Sequence, residues 1–410
     1  MRAPFVAFLF LAVDLVACSG GSSRPATSAT TVAGRPAGTP EPIKAQIVPT
    51  EDDSGGTAAE VFERARLAMS VGQHAQARVL FDRVAKAERA EHPDAPTSLG
   101  RAAAYNAALC SESLEESLDA RDRFRALSLA SPGTPDALDA DLRRARLDVE
   151  IEDWADLGLA SSTLLGTAGA VASSSLARSD RAEALALQAL HMIHGAHDLG
   201  AAQKSLVQAT KLLEQKDKPD EEPPPQNAAA VHFARGDLLR AQGDAIAFLD
   251  AKDPKTPIVS ADFPVKLETR CQKILDAQDA YVDAINTREL RWAVRAGVRV
   301  ATMYLDLHRD VTAIPPPKSA TDDDKKQLFK GAMMLRYRIL LEKGLGTLER
   351  TLNLETKAGA KSTWLQHAKQ AKASVEKQLQ DEKSALAKLP YTEEELKKAL
   401  DLLAKKPAKA

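Results

Sequence analysis

Glycine and proline interrupt this sequence at intervals that leave room for two helices each time. The breaks are Gly72, Pro132-Gly133, Gly166 and Gly195, and then the proline-containing stretches 223–225, 254–264 and 315–317. Between them apolar residues recur every three or four positions, and no stretch shows convincing strand alternation. Helix pairs spaced by roughly 35–45 residues predict an α-solenoid, because one pair cannot bury its apolar face without stacking on its neighbours.

The composition favours an all-α fold. Alanine supplies 73 of the 410 residues, and aromatic residues only 4%. A chain with few aromatic and β-branched residues is poorly suited to a β-sandwich or barrel, whereas alanine is the best helix former and lets helices approach closely. The alternative to a solenoid is a generic helical bundle in which the alanines fall in register by chance.

Two segments share one order of small, aromatic and helix-breaking residues. In residues 101–132 these are Ala107, Ala108, Ala120, Phe124, Leu127 and Pro132, and in residues 58–89 they are Ala65, Gly72, Ala77, Phe81 and Val84. This order resembles the tetratricopeptide repeat (TPR), which implies a solenoid of helix hairpins. Weaker copies follow around Trp154 and Leu164, and over residues 195–212.

Local signals place several helix starts. Thr57 with Glu60, and Thr392 with Glu395, have the spacing of capping boxes. Thr134 precedes a proline at the first helical position. The acidic residues 322–324 are expected in the first turn of a helix, where the helix dipole favours negative charge.

The second half of the chain predicts longer helices, over residues 265–286, 287–313, 321–357 and 362–389. A second resemblance rests on residues 271–281, Trp292-Ala293, Ala296-Gly297, Met303-Tyr304 and 314–317. These segments resemble the C-terminal region of TPR-repeat lipoproteins of myxobacteria, some of which are associated with gliding motility. The resemblance implies a lineage and a compartment.

The first 17 residues read as a secretory leader. Arg2 precedes the apolar run 3–13, which is too short to span a membrane. The ending Leu15-Val16-Ala17-Cys18 resembles the lipobox of bacterial lipoproteins, and this implies lipidation of Cys18, although Asp14 departs from the usual pattern. The alternative is an ordinary signal peptide followed by a chance cysteine.

The residues after Cys18 favour an anchored protein. Residues 19–56 are rich in Gly, Ser, Thr, Pro and Ala and contain no aromatic residue, which is typical of a flexible tether. Ser19 stands where many inner-membrane lipoproteins carry aspartate. By that resemblance we expect an outer-membrane lipoprotein on the periplasmic face, with surface exposure left open.

Few residues point to chemistry. The net charge of −2 lacks the basic surplus of a nucleic-acid binder, and no P-loop, HExxH, GxSxG or CxxC motif occurs. We therefore predict no enzyme activity, no cofactor, no metal site and no small-molecule substrate. His191, His194 and His197 are spaced as metal ligands could be, but Gly195 interrupts that helix, and an exposed polar turn is favoured.

The remaining cysteines are Cys110 and Cys271. Both fall within helical patterns, so they are expected to be small buried hydrophobic residues. Whether they pair is left open, because a disulfide requires Cα atoms within about 7 Å.

The TPR resemblance implies a partner-binding groove lined by the first helix of each hairpin. The predicted groove residues are Phe62, Arg66, Met69, Tyr105, Leu109 and Glu112. Such a mixed apolar and charged surface suits an extended peptide or a helix, although simple packing between repeats is the alternative. The Lys/Asn/Arg set with which some TPR domains hold a C-terminal carboxylate is largely missing.

These observations predict a lipid-anchored, periplasm-facing scaffold for protein partners in a cell-envelope complex, with motility machinery as one candidate. An outer-membrane assembly lipoprotein, similar to the TPR component of the barrel-insertion machinery, is the alternative within binding proteins. A metal-binding or enzymatic periplasmic protein is the alternative of another class. The predicted organisation is a leader over 1–17, lipidated Cys18 and tether over 18–56, repeats over 57–215, a C-terminal helical region over 226–389, and a terminal helix with a basic tail over 390–410.

Overall fold

A computed structural model describes residues 55–166, 176–215, 222–250, 258–260, 262–358 and 363–404. Those residues form fourteen α-helices and one short antiparallel pair, in which Leu249–Asp250 lies beside Ile258–Val259. The leader, Cys18, the tether up to residue 54 and the basic tail from residue 405 lie outside the described residues. Across the described residues, no helix has both the length and the apolar character that a membrane crossing requires.

The helices follow one another with short connections. They are α1 (Ala58–Ser70), α2 (His74–Glu91), α3 (Ser98–Ser113), α4 (Ser117–Ala130), α5 (Pro135–Glu150), α6 (Trp154–Leu164), α7 (Arg178–His194), α8 (Leu199–Glu214), α9 (Pro225–Asp244), α10 (Phe263–Asn286), α11 (Leu290–Thr312), α12 (Asp323–Ala358), α13 (Thr363–Ala387) and α14 (Glu393–Ala404). The longer helices predicted for the second half correspond to α10 through α13.

The helices stack in two layers. Each helix from α1 to α12 packs on its successor, α14 packs on α12, and the odd-numbered helices also pack on one another in order, from α1 through α13. The odd-numbered helices therefore form an inner layer and the even-numbered helices an outer one. The predicted all-α solenoid of TPR-like hairpins is confirmed.

One turn geometry closes the first three hairpins. Gly72, Glu115 and Glu152 all adopt a left-handed backbone, with φ of 78°, 64° and 58°. In each turn the following N–H donates to a carbonyl five residues earlier: Gln73 to Ala68 at 2.9 Å, Glu116 to Ser111 at 3.0 Å, and Asp153 to Asp148 at 2.8 Å. This is a Schellman ending of the first helix of each pair. Only the first turn carries the glycine that this conformation favours.

The predicted small and aromatic positions form the contacts between the helices. Ala77, Ala107, Ala108 and Ala120 are completely buried, as are Phe81 and Phe124 on the outer helices of the first two hairpins. Alanine at a crossing brings two helix backbones close together, and the phenylalanine one turn later fills the space beside it. The order of residues that resembles a TPR therefore marks real packing positions.

From α5 to α11 the inner helices have no open face. Consecutive residues are buried over 182–187 in α7, 227–231 in α9 and 292–298 in α11. Such runs cover every direction around a helix, because successive residues are about 100° apart. In α5 even the charged residues Asp141, Arg144, Asp148 and Glu150 are buried. Among the inner helices α1 to α11, the groove predicted along the first helix of every hairpin is therefore open only at α1 and α3.

The predicted helix starts are confirmed. Thr57 and Glu60 form a reciprocal capping box, and Thr392 and Glu395 do the same before α14. Thr134 accepts the Ala137 N–H at 3.2 Å. Asp323 and Asp324 begin α12, and Asp322 before them accepts the Lys325 N–H at 2.8 Å.

Candidate partner-binding groove

The first hairpin presents the three residues predicted for it on one side of α1. Phe62 is half-buried and packs edge-to-face on Phe81, with ring centroids 5.3 Å apart. Met69 is also half-buried against the first-hairpin core. The Arg66 side chain is 62% exposed and pairs with Glu63 at 3.1 Å. This part of the predicted surface is accessible.

The second hairpin uses its predicted residues partly for internal contacts. Tyr105 packs edge-to-face on Phe124, with ring centroids 5.7 Å apart. Its hydroxyl donates to Asp139 and accepts from Arg143 Nε at 2.6 Å. Burial, followed by the bond to Asp139, raises the pKa of Tyr105 well above its ordinary value. Leu109 packs half-buried beside it.

Glu112 joins three inner helices. One of its carboxylate oxygens accepts from Arg143 Nη1 of α5 at 3.2 Å, and the other accepts from Arg291 of α11. The carboxylate that was predicted to face a partner is therefore already held by two guanidinium groups of the same chain.

Arg291 belongs to a row of three arginines on α11 that was not among the residues predicted from the sequence. Arg295 donates to Glu150 at the end of α5, and Arg299 Nη2 lies 3.3 Å from Glu152 in the next turn. The spacing of four residues places all three on one side of α11. We call Arg291, Arg295 and Arg299 the arginine row. It links the second and third hairpins to the sixth across 145 or more residues of sequence.

The arginine row packs on aromatic rings as well as on carboxylates. The Arg295 guanidinium lies 4.7 Å from the centre of the Trp292 ring, and that of Arg299 lies 5.0 Å from the centre of the Trp364 ring. Arg295 is almost completely buried and its Nε has no hydrogen-bond partner. The spacing of these arginines was visible in the sequence, but their partners were not.

A second polar link joins α5, α7 and α9. Arg146 forms two parallel hydrogen bonds with the buried Glu183, both at 2.7 Å. Asn227 Nδ2 also donates to Glu183, at 2.8 Å. Because a forked guanidinium fits a carboxylate closely, this contact fixes the three inner helices relative to one another.

The predicted histidine cluster is divided among different surroundings. His191 Nδ1 lies 2.6 Å from the Trp154 carbonyl oxygen, and the His191 ring fills the space beside Gly158. His194 stacks on Trp154 with centroids 4.4 Å apart, and its Nε2 lies 2.7 Å from Asp237 Oδ2. His197 alone is exposed. The expectation of an exposed polar turn is therefore wrong for His191 and His194, because α6 and α9 pack against them.

The Asp237 carboxylate lies beneath a cavity of about 510 Å³ between α6, α7, α9 and α11. Tyr281 donates to it, and Arg299 Nε lies 3.7 Å away. Burial opposes ionisation, but Arg299 and His194 outweigh it, so the pKa of Asp237 is held well below its usual range. Within the described part of the chain, no group of three or more His, Cys, Asp or Glu residues could hold a metal ion.

Asp148 is a buried carboxylate of a different kind. It is 0% exposed, and neither of its oxygens has a hydrogen-bond partner. Burial and the nearby Asp156 raise the pKa of Asp148 to about 8, although Arg144 and Arg121 oppose this. The group is structural, since it lies between α4, α5 and α6 and away from the open groove.

The two cysteines of the described region are unpaired. Cys110 is buried and Cys271 half-buried, and burial raises the pKa of each thiol to about 11. Both are therefore protonated at neutral pH and poor nucleophiles.

Two solved structures are similar to this chain at low identity. A tetratricopeptide repeat protein from Parabacteroides merdae is 10% identical, with 78% of this chain and 100% of that chain covered and a TM-score of 0.39. The TPR domain of P58(IPK) is 14% identical, with 79% and 98% covered and a TM-score of 0.15. No protein-family model and no curated protein matches the sequence. Similarities this distant assign no ligand or partner to the chain.

Proposed function

We propose that this protein is a scaffold that holds protein partners in a cell-envelope complex, anchored in the outer membrane through Cys18 and facing the periplasm. The proposal treats it as a binding protein and not as an enzyme. The resemblance of the segment around Cys271 to myxobacterial lipoproteins favours motility machinery as the complex to test first.

The observation that carries the proposal is the open side of α1 and α3. Phe62, Met69 and Leu109 are only half-buried there, although the inner helices from α5 to α11 are covered. A half-buried apolar surface beside charged residues is the kind of site that captures a peptide or a helix. An enclosed reaction site is not needed for this role.

A charge reversal tests the groove without disturbing the core. Arg66→Glu changes a side chain that is 62% exposed and whose ion pair among the described residues is with Glu63. We expect a partner that co-purifies with the parent chain to be lost from this variant. Lys398→Glu on α14 is the matched control, because Lys398 is also exposed and pairs only with a neighbour one turn away. Retention of every partner by Arg66→Glu would refute the groove.

The anchor needs a separate experiment. Cys18→Ala removes the thiol that lipidation requires, and we expect the protein to move from the membrane fraction to the soluble periplasmic fraction. Acyl chains contribute about 0.8 kcal/mol for each buried methylene, so their loss should abolish stable attachment. A variant that stays in the outer-membrane fraction would exclude the lipid anchor.

A further inference from the structure

The open side of α1 and α3 ends at Glu112, where the chain's own Arg291 is seated. We propose that a partner bound to this side places an arginine or lysine at Glu112 and displaces Arg291, which acts as an intramolecular competitor. This inference rests on the proposed function and adds the chemistry of the partner.

The apolar part of the surface supplies the first half of the recognition. Phe62 and Met69 line the α1 side, and Leu109 lines the α3 side. None of the three is fully covered by the chain. An apolar side chain of the partner would bury part of their remaining exposed surface, a gain of about 25 cal/mol for each Å² removed from water.

The charged end supplies the second half. A small cavity of about 30 Å³ beside Arg291 is lined by Glu112, Glu115 and Glu150. Arg291 is the one cation among the residues that line it. One oxygen of Glu112 accepts from the Arg291 guanidinium there, so a guanidinium or ammonium group of a partner complements the same oxygen.

Arg291 is the member of the arginine row that can leave. Its side chain is 44% exposed, whereas that of Arg295 is 3% exposed and that of Arg299 is 17% exposed. Exposed ion pairs contribute little to stability, so an incoming arginine would exchange with Arg291 at small cost. Arg143 stays on the other oxygen of Glu112 and keeps the carboxylate in place.

The geometry limits the spacing within the partner. Leu109 and Glu112 lie three residues apart on α3, which corresponds to a rise of about 4.5 Å. An extended peptide advances about 3.3 Å for each residue. The basic residue should therefore stand one or two positions from the apolar residue.

Short peptides test the inference directly. The probe is a fluorescein-labelled octapeptide of serine and glycine that contains leucine and arginine separated by one residue. Its twins replace the arginine with glutamine or glutamate. Fluorescence anisotropy gives their affinities for the parent chain, for Arg291→Ala and for Glu112→Gln, with Arg291→Gln as a second variant that keeps most of the side-chain bulk.

We expect Arg291→Ala to bind the arginine peptide about three- to fivefold more tightly than the parent chain does, the scale of one exposed ion pair. The glutamine peptide should bind both chains equally, and Glu112→Gln should lose the preference for arginine. Equal affinity of parent and Arg291→Ala for the arginine peptide would overturn the inference, as would no binding at millimolar concentration. If the peptide experiment fails but Arg66→Glu loses a partner, the proposed function is supported and only the role of Arg291 is refuted.

Discussion

Replacing Asp148 with asparagine should stabilise the protein at neutral and alkaline pH. The folded state holds the pKa of this carboxyl near 8, against an ordinary value of 3.8. The folded chain therefore binds a proton that the unfolded chain has released, and the free energy of unfolding falls as the pH rises from about 4 towards 8. Below the ordinary pKa both states are protonated, and the titration of Asp148 no longer lowers the free energy of unfolding.

The size of the effect follows from the same shift. A pH of 7 is about three units above the ordinary pKa of the carboxyl, and each unit corresponds to about 1.36 kcal/mol. The buried Asp148 therefore lowers the free energy of unfolding at pH 7 by at most roughly 4 kcal/mol. Asparagine removes the titration but leaves a buried amide that needs partners, which offsets about 1–3 kcal/mol of the gain. We expect Asp148→Asn to gain about 1–3 kcal/mol at pH 7, to gain more than that at pH 8, and to lose stability at pH 4.

The difference in the free energy of unfolding between Asp148→Asn and the parent is measured by urea titration at pH 4, 6 and 8, monitored by circular dichroism. Both proteins carry Cys18→Ala. Asp122→Asn on α4 is the matched control, since that carboxylate is 63% exposed and its variant should follow the parent at every pH. A difference between Asp148→Asn and the parent that is the same at pH 4 and pH 8 would refute the reasoning, because it would show that Asp148 does not titrate in this range.

Three further predictions test the packing. Arg295→Ala should cost about 3–5 kcal/mol in a urea titration, because it leaves Glu150 buried without its guanidinium; a loss below 1 kcal/mol would contradict this. Gly72→Ala should destabilise the protein by about 1 kcal/mol, because the φ of Gly72 is 78° and alanine disfavours a left-handed backbone. Glu115→Gly should be neutral or slightly stabilising, because Glu115 has a φ of 64° in the equivalent turn. Thermal melts that show the opposite order would exclude backbone strain at these turns. Gly297→Ala should lower the melting temperature by several degrees, since its Cβ would lie 2.0 Å from Thr351 Oγ1, and Thr351→Ala should restore part of the loss.

Local signals in the sequence were enough to predict much of the fold. The capping residues Thr57 and Thr134 act on the backbone within three positions, so neighbouring residues determine their role. The alanines at the helix crossings were also recognisable, because their spacing repeats from one hairpin to the next. The α-helix boundaries around Asn286 and Thr312 followed from apolar periodicity.

The candidate site was predictable only in part. Phe62 and Arg66 have local surroundings, and their accessibility agrees with the expected register. Glu112 differs because its second partner, Arg291, is 179 residues away. No periodicity within α3 or α11 reports that the two helices meet. The surroundings of His194 depend in the same way on Asp237, which lies on another helix.

The arginine row changes how this chain should assemble. An ordinary repeat array gains stability from adjacent units alone, and its ends can form or fray independently. Here Glu150 receives its guanidinium partner, and Glu112 its second one after Arg143, only when residues near 291–295 have arrived. The first three hairpins of a partly synthesised or partly exported chain would carry Glu150 on their inner side without the Arg295 guanidinium. Formation of α11 is then a late step that couples the folding of the two halves of the chain. Contacts between residues so far apart in sequence raise the contact order and slow folding relative to an ordinary repeat array.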